Sequence, residues 1–256
     1  MSIQFSDTTN YKGIVQLYEK ECGMNQGDIS GNTTKLKEFT AQANLALDDF
    51  MRIALKASGK WQFDDSNQSG DPILTTNLVS GQRDYHFTSD TDGNLILDIY
   101  RVFVANSSGV FMEVYPVDSQ GDNITRVSGF TDGRNVTGVP FTYDKTANAI
   151  FLDPIPNYSY TGGLKMYVNR EGSYFTSTDT TKKPGVPGLF HRYFYLKPAL
   201  EYARQNGADN YQALLNEVIK LEGDEDRGLV GEIQRYFSKR AKDDRAIMTG
   251  KKINYI

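Results

Sequence analysis

The sequence predicts an α+β fold in which helices from both ends of the chain form one helical body and an antiparallel β domain is inserted between them. Three observations predict this order. Apolar residues recur at helical spacing before residue 59, short β-prone runs separated by turn residues fill the middle, and helical spacing returns beyond residue 188. The predicted parts are an N-terminal arm and helix (1–60), the β domain (61–181), the C-terminal helices (182–242) and an extended C-terminal tail (243–256).

The composition is that of a folded chain with enough apolar surface for a core. Of 256 residues, 39% are hydrophobic and 12% are aromatic, which excludes disorder throughout. Mean hydropathy is −0.51, and no apolar run approaches the roughly 18 residues of a membrane span, so we expect no membrane partner. The opening residues, MSIQFSDTTNYKG, lack the basic and apolar regions of a secretion signal. We therefore expect synthesis in a cytoplasm.

The first predicted helix lies between Asn32 and Ser58. Its apolar residues are three or four positions apart and therefore share one helix face. They are Leu36, Phe39, Ala43, Leu47, Phe50 and Ala54. Asn32 and the two threonines after it offer side-chain oxygens to the amides of the first turn, and Gly59 can adopt the left-handed conformation that ends a helix.

The middle of the chain is predicted to be nearly all strand and turn. Residues 95–105 and 110–115 predict a hairpin in which Gly109 supplies a positive φ. Residues 141–144 and 149–152 predict a second hairpin. These pairs indicate an antiparallel sheet.

A further strand at 164–169 precedes a predicted linker at 177–188, where two prolines and two glycines over five positions can sustain neither helix nor strand. Helices then return. Two apolar stripes at helical spacing follow the linker: Leu189, Tyr193, Leu196, Leu200 and Ala203, and then Tyr211, Leu214, Leu215, Val218 and Leu221.

Three local features refine the C-terminal helices. Pro198 is expected to kink or restart the first of them, and Gly207 is expected to end it. Asp209 and Gln212 have the spacing of a capping box for the second. A last helix is predicted over 229–242. We expect these helices to bury their apolar stripes against the N-terminal helix.

Charge is unevenly distributed, although the net charge is only −4. Residues 61–181 carry 7 basic and 15 acidic side chains, a net charge of −8, whereas residues 182–256 carry 14 and 10, a net charge of +4. An acidic middle disfavours nucleic-acid binding by that region, because it has too few cations to neutralise phosphates.

None of the usual catalytic motifs is present, and we expect no enzymatic activity, no cofactor and no metal. The sequence has no glycine-rich phosphate loop, no H-E-x-x-H and no G-x-S-x-G. Cys22, His86 and His191 are too few for a zinc site of the Cys/His type, and we expect both histidines to be structural. Long-range pairing of acids in the acidic, tyrosine-rich β region leaves a carbohydrate-binding or glycan-hydrolysing protein as the alternative.

Two features point to contacts with other proteins. Trp61, the single tryptophan, fits either a core plug at the junction of helix and sheet or an interface anchor. The tail combines basic residues with an apolar tip: Arg245, Lys251, Lys252, Ile253, Tyr255 and Ile256. Such a segment is either solvated or folds on docking, with its apolar residues in pockets and its lysines against acidic rims.

Five stretches follow one another through the middle region: TTNLVSGQRDY (75–85), LDIYRVFV (97–104), PVD (116–118), GVPFTY (138–143) and FLDPIPN (151–157). Together they resemble the β-domain pattern of head-to-tail connector, or adaptor, proteins of tailed bacteriophages. The flanking helices are similar in placement, so the resemblance covers most of the chain. Related neck and tail-tube proteins share the same G-x-P and D-P-x-P spacing, which leaves a neck or tail-tube subunit as a third interpretation.

The resemblance implies a structural virion protein located in the neck between capsid and tail. It implies a homo-oligomeric ring, usually of twelve copies, that is docked beneath the portal protein and presents a platform to a tail or neck protein. The C-terminal tail, residues 243–256, would insert into the portal. DNA would pass through the ring without specific binding.

Overall fold

The structure is a computed structural model of the chain and describes residues 3–59, 73–89, 93, 95–117, 136–146, 148–224 and 226–243. With 36% helix and 27% strand, the fold is α+β, as predicted. In chain order the elements are α1 (Ile14–Glu21), α2 (Thr33–Ser58), β1 (Ile73–Leu78), β2 (Asp84–His86), β3 (Ile96–Ala105), β4 (Phe111–Pro116), β5 (Thr137–Gly138), β6 (Thr142–Lys145), β7 (Ala149–Asp153), β8 (Ile155–Pro156), β9 (Tyr160–Arg170), α3 (Tyr193–Asn206), α4 (Tyr211–Glu222), β10 (Gly223–Asp224), β11 (Leu229–Val230) and α5 (Glu232–Asp243).

The chain divides into two compact units. Met1–Ser66 and Gly172–Ile256 form the helical unit, and Asn67–Glu171 forms the β unit. The predicted β domain extended to residue 181, so the observed division falls about ten residues earlier. The reason is packing, because Phe175 is buried in the helical core. The Asn44 side chain of α2 also accepts from the Phe175 amide at 2.9 Å and donates to its carbonyl at 3.0 Å.

The predicted apolar face of α2 is buried, and the N-terminal and C-terminal helices pack on each other as expected. Asn32 caps α2, since its side-chain oxygen accepts from the amides of Thr34 and Lys35 at 3.1 Å. Gly59 ends the helix at φ 68°. The ring of Phe50 is fully buried, and its centre lies 5.7–6.1 Å from the rings of Phe190, Tyr193, Phe194 and Phe237.

The structure corrects two helix starts predicted in the C-terminal region. The last helix was predicted over 229–242, but Leu229–Val230 form β11 and α5 begins at Glu232. The capping box does not form, because α4 starts one residue later than predicted; Gln212 instead donates to Asn216 at 3.2 Å, and the Asn210 side chain donates to the Glu21 carbonyl at 2.8 Å. Pro198 was expected to kink or restart the first helix; a restart is excluded, because Pro198 lies inside the continuous helix α3, and a kink stays a prediction. Buried residues on both sides of Pro198 hold the helix together despite the missing amide hydrogen.

The β unit is built on a seven-stranded sheet with the order β1-β9-β3-β4-β6-β7-β2. Both predicted hairpins form, β3 with β4 and β6 with β7, and Gly109 has the expected positive φ of 81°. The further strand predicted at 164–169 is part of β9, which pairs with both β1 and β3.

The sheet is mixed, which corrects the prediction of a purely antiparallel β domain. β4 pairs with β6 in parallel, with Tyr115 opposite Thr142, and the short strands β5 and β8 also pair in parallel. A parallel pair needs a long connection. The stretch between Pro116 and Thr142 is long enough to provide one, and local patterning cannot reveal the direction in which its ends pair.

Candidate functional site

The strands β9, β3 and β4 lie side by side in the sheet, and their side chains on one face of the sheet are buried. Val102 of β3 lies opposite Met166 of β9 and Val114 of β4, and all three side chains are buried. Successive side chains of a strand point to opposite faces of the sheet. The residues on either side of these three therefore belong to the outer face.

Two rows of large side chains cross this outer face. In the first row, Phe103 lies between Lys165 of β9 and Glu113 of β4. In the second row, Arg101 lies opposite Tyr167. Three strands thus bring aromatic and charged side chains together on one surface.

A bulge in β3 adds a further ring to this surface. The register shifts between Ile99 and Arg101, so Tyr100 and Arg101 together oppose Tyr167. The ring of Tyr167 lies 6.2 Å from that of Tyr100 and 5.5 Å from that of Phe103, measured between centres. The bulge therefore joins Tyr100 to an aromatic row.

Arg101 links the aromatic row to an acid. Its guanidinium carbon lies 4.9 Å from the ring centre of Phe103 and 5.9 Å from that of Tyr167, within cation–π range. Its Nε and a terminal nitrogen donate to the two oxygens of Glu113 at 2.9 and 3.1 Å. These hydrogen bonds raise the pKa of Arg101 and lower the pKa of Glu113.

Lys165 and Tyr115 complete the surface. The Lys165 ammonium nitrogen lies 4.0 Å from the centre of the Phe111 ring. Tyr115 follows the buried Val114 on β4, so it points outward, and it is 64% exposed. We call this set the outer-face cluster; its members are Tyr100, Arg101, Phe103, Phe111, Glu113, Tyr115, Lys165 and Tyr167.

The chemistry of the outer-face cluster is that of a binding surface. Its one acid, Glu113, is held at both oxygens by Arg101, and none of its members is a histidine, serine or cysteine that could act as a nucleophile or base. Tyrosine, phenylalanine and arginine are the residue types enriched in the cores of protein–protein interfaces. The geometry therefore fits recognition of another macromolecule.

The interaction residues predicted from sequence lie outside the described part of the chain. This holds for Trp61 and for the tail residues Arg245, Lys251, Lys252, Ile253, Tyr255 and Ile256. Their roles stay predictions.

The two histidines occupy different surroundings. His191 is 1% exposed; its Nε2 donates to the Val186 carbonyl at 3.0 Å, and its Nδ1 accepts from the Ile3 amide at 2.9 Å. Burial lowers the pKa of His191, so the neutral ring fits this double contact. His86 is exposed, with Nε2 3.5 Å from a carboxylate oxygen of Asp84. His191 thus anchors the N-terminal segment to the linker before α3.

The carboxylates of the helical unit are also held in structural contacts. Asp48 accepts from the Tyr174 hydroxyl at 2.6 Å, and Asp49 pairs with Arg52 at 2.8 Å. Glu19, which sequence reasoning did not single out, is 1% exposed and accepts from the amides of the loop after α1 at 2.8–3.2 Å. Each of these acids is engaged by neighbours within its own unit.

The outer-face cluster was missed by sequence reasoning, although a signal for it exists. Arg101 and Phe103 are two positions apart, as are Lys165 and Tyr167, and this spacing places each pair on one strand face. The spacing does not say that the two strands are neighbours. Only the sheet order brings the pairs together.

Within the described residues, no group of three or more His, Cys, Asp or Glu side chains is arranged to hold a metal ion, and no helix is long and apolar enough to cross a membrane. No protein-family model matches the chain, and no curated protein matches it significantly.

Proposed function

We propose that the protein is a head-to-tail adaptor of a tailed bacteriophage: a structural virion protein, not an enzyme, whose ring joins the portal to the tail and continues the DNA channel. The observation that carries the proposal is the outer-face cluster, a surface of aromatic and charged side chains in which Arg101 and Tyr115 are exposed and the other members are half-buried. It supports a protein whose work is done through interfaces. The sequence resemblance supplies the kind of interface, in the neck of the virion.

A closed ring needs a heterologous interface, in which one surface of each copy meets a different surface of the next. The chain offers unlike surfaces. The outer-face cluster is aromatic and has a net charge of +1, because Glu113 neutralises Arg101 and Lys165 adds a second cation. The helical unit carries a groove with an apolar floor and an acidic rim, lined in part by Phe39, Tyr202 and Glu201. These features support a ring, of about twelve copies by resemblance.

The charge of the middle region suits a channel that DNA passes without being held. Residues 61–181 carry a net charge of −8. Like charges repel phosphates, and a surface with few cations gains nothing from counterion release. The proposed partners are therefore the portal protein, a tail or neck protein and further copies of this chain, with DNA as a transient passenger.

Electron microscopy of negatively stained particles tests the proposal. The full chain is imaged alone and mixed with the portal protein of the same virus, as wild type and as Tyr115→Ala. We expect rings or an added collar for the wild type and a clear loss of assembly for the variant. Tyr11→Ala, at a tyrosine of the helical unit that is 46% exposed, is the matched control. A wild-type chain that stays monomeric and never binds the portal refutes the proposal.

One observation favours glycan binding as a second candidate. The rings of Tyr100, Tyr115 and Tyr167 stand on one outer sheet face, and tyrosine joins an apolar ring to a polar tip. The cations argue for a protein contact instead, because Arg101 and Lys165 already occupy ring faces that a sugar would stack on. Binding of the wild-type chain to a glycan array, lost in Tyr115→Ala, would favour glycan binding over the adaptor function.

A further inference from the structure

A groove on the helical unit lies between α1, α2 and α3. It encloses about 400 Å³, and its floor is formed by apolar side chains from these helices and from the loop after α1. The rings of Tyr18 and Phe39 lie 4.5 Å apart, and those of Tyr18 and Tyr202 meet edge to face at 6.3 Å. The groove thus offers an aromatic floor to an apolar side chain.

The groove continues along α2 and α3. A second depression of about 330 Å³ shares Gln42, Pro198 and Glu201 with the first, and at its edge Leu45 is 57% exposed. The exposed Leu45 and the aromatic floor make a path longer than one side chain, so the groove suits a short peptide segment.

The rim of this double groove is acidic. The lining contains four acidic side chains, Glu38, Asp48, Asp49 and Glu201, and two basic ones, Lys35 and Lys197. Lys197 is already paired with Glu222 at 2.6 Å and with Asp49 at 3.6 Å. Among the acids, Asp49 is also paired with Arg52 at 2.8 Å and Glu201 with Arg204 at 2.6 Å, so Glu38, which is exposed, is the rim acid best placed to meet a cation. A ligand for this groove should therefore combine apolar side chains with positive charge.

One segment of the same chain has this chemistry. Residues 251–256 have the sequence KKINYI. Two lysines come first, and three of the four residues that follow them are apolar. Thirteen residues follow Asp243, the last residue of α5. An extended chain of that length spans up to about 45 Å, more than the roughly 39 Å of a helix as long as α2. A segment of this length can therefore place its apolar tip tens of ångströms from the end of α5.

We propose that the double groove binds residues 251–256 of a second copy of the chain, with Ile253 and Tyr255 on the aromatic floor and the lysines against Glu38. This rests on the proposed function, since it supplies a head-to-tail contact for the ring. Each copy gives one segment and receives one, so the contact repeats around the ring and gains strength through multivalency. The resemblance implies that the same segment binds the portal protein instead, and the variants described next distinguish the portal from a second copy as its partner.

A charge swap in the full-length chain tests the pairing. Glu38→Lys changes an exposed helix residue of the groove rim, and Lys251→Glu with Lys252→Glu changes the segment. We expect each variant to weaken self-association by about tenfold or more in sedimentation equilibrium, with circular dichroism unchanged. Asp209→Lys, an exposed acid outside the groove, is the matched control and should associate like the wild type.

Mixing the two variants shows whether the contact runs between copies. A chain with Lys at position 38 and a wild-type segment, mixed with a chain carrying the reversed segment, restores a complementary pair at every contact. We expect association to return in the equimolar mixture. If each segment bound its own groove, mixing would restore nothing, and the inference would fall.

Two other outcomes are informative. If the segment variants form wild-type rings but lose portal binding, the segment belongs to the portal; the inference is overturned while the proposed function stands. If wild-type chain gives no ring and no portal complex under any condition, the proposed function itself fails. Recovery of association in the mixture, with normal behaviour of Asp209→Lys, supports the inference.

Discussion

Tyr115 and Tyr143 provide a matched test of the idea that the outer face of the sheet is a binding surface. They lie on the paired strands β4 and β6, yet Tyr115 is 64% exposed on the outer face and Tyr143 is 3% exposed in the core. Replacing each with alanine removes the same atoms from opposite sides of one sheet. We expect Tyr143→Ala to damage stability and Tyr115→Ala to damage association.

The magnitudes follow from burial. A buried aromatic side chain removes about 150–250 Å² from water, which at about 25 cal/mol per Å² is about 4–6 kcal/mol; measured truncations of buried aromatics to alanine cost about 3–5 kcal/mol. For Tyr143 we therefore expect a loss of about 4 kcal/mol in the free energy of unfolding of the β unit. Tyr115 buries only about a third of its surface, so we expect a loss of about 1.5–2 kcal/mol. Its loss should instead weaken association about tenfold or more.

Amide hydrogen exchange of β3 measures the opening free energy of the β unit without contributions from the helical unit. Sedimentation equilibrium measures self-association and portal binding of the same samples. Equal destabilisation by the two variants would show that the outer face is covered and not exposed. Unchanged association of Tyr115→Ala with both partners would show that the outer-face cluster binds neither.

Further predictions concern both units. Phe50→Ala should cost the helical unit about 3–5 kcal/mol in urea unfolding followed by far-ultraviolet circular dichroism, because it empties a site among four rings; a loss under about 1 kcal/mol would contradict this packing. Burial lowers the pKa of His191, so as the pH falls the imidazole is protonated in the unfolded chain before it is protonated in the folded one. The contribution of the neutral His191 to the free energy of unfolding should therefore be fully present above pH 6.5 and decline as the pH falls below that value. His191→Gln should remove that decline in acid titrations monitored by melting temperature. The Arg101 hydrogen bonds lower the pKa of Glu113, so this pair should stabilise above pH 4.5 and weaken as pH falls further, by a small amount because it is exposed; an acid titration in which Glu113→Gln keeps the same dependence would contradict it.

Features set by neighbours in sequence could be predicted. The apolar stripe of α2 and its Asn32 cap follow from contacts three and four residues apart, and the turn at Gly109 follows from a local need for positive φ. The linker prediction also held in part, since no helix or strand occurs between Arg170 and Gly188. The packing of that segment could not be predicted from the sequence. Phe175 is buried in the helical core and bonds to Asn44 of α2, which is far away in the sequence.

Features set by partners far along the chain were missed. Helix α1 has only eight residues, too few for a sustained helical period in the sequence, and its Glu19 accepts hydrogen bonds from the loop that follows it. The parallel pairing of β4 with β6 depends on how the chain returns after Pro116, which no local pattern encodes. The start of α4 shifted by one residue, and the Asn210 side chain bonds to the Glu21 carbonyl.

By itself the sequence determined the apolar face and both ends of α2, the turn at Gly109 and how charge divides along the chain, because these depend on backbone periods and conformational preferences of single residues. Only the tertiary structure decided that β9 lies beside β3. That choice brings Arg101 to Tyr167 and Phe103 to Lys165. Many strand orders bury the same alternating faces equally well, so the cluster depends on long-range packing that local patterns do not specify.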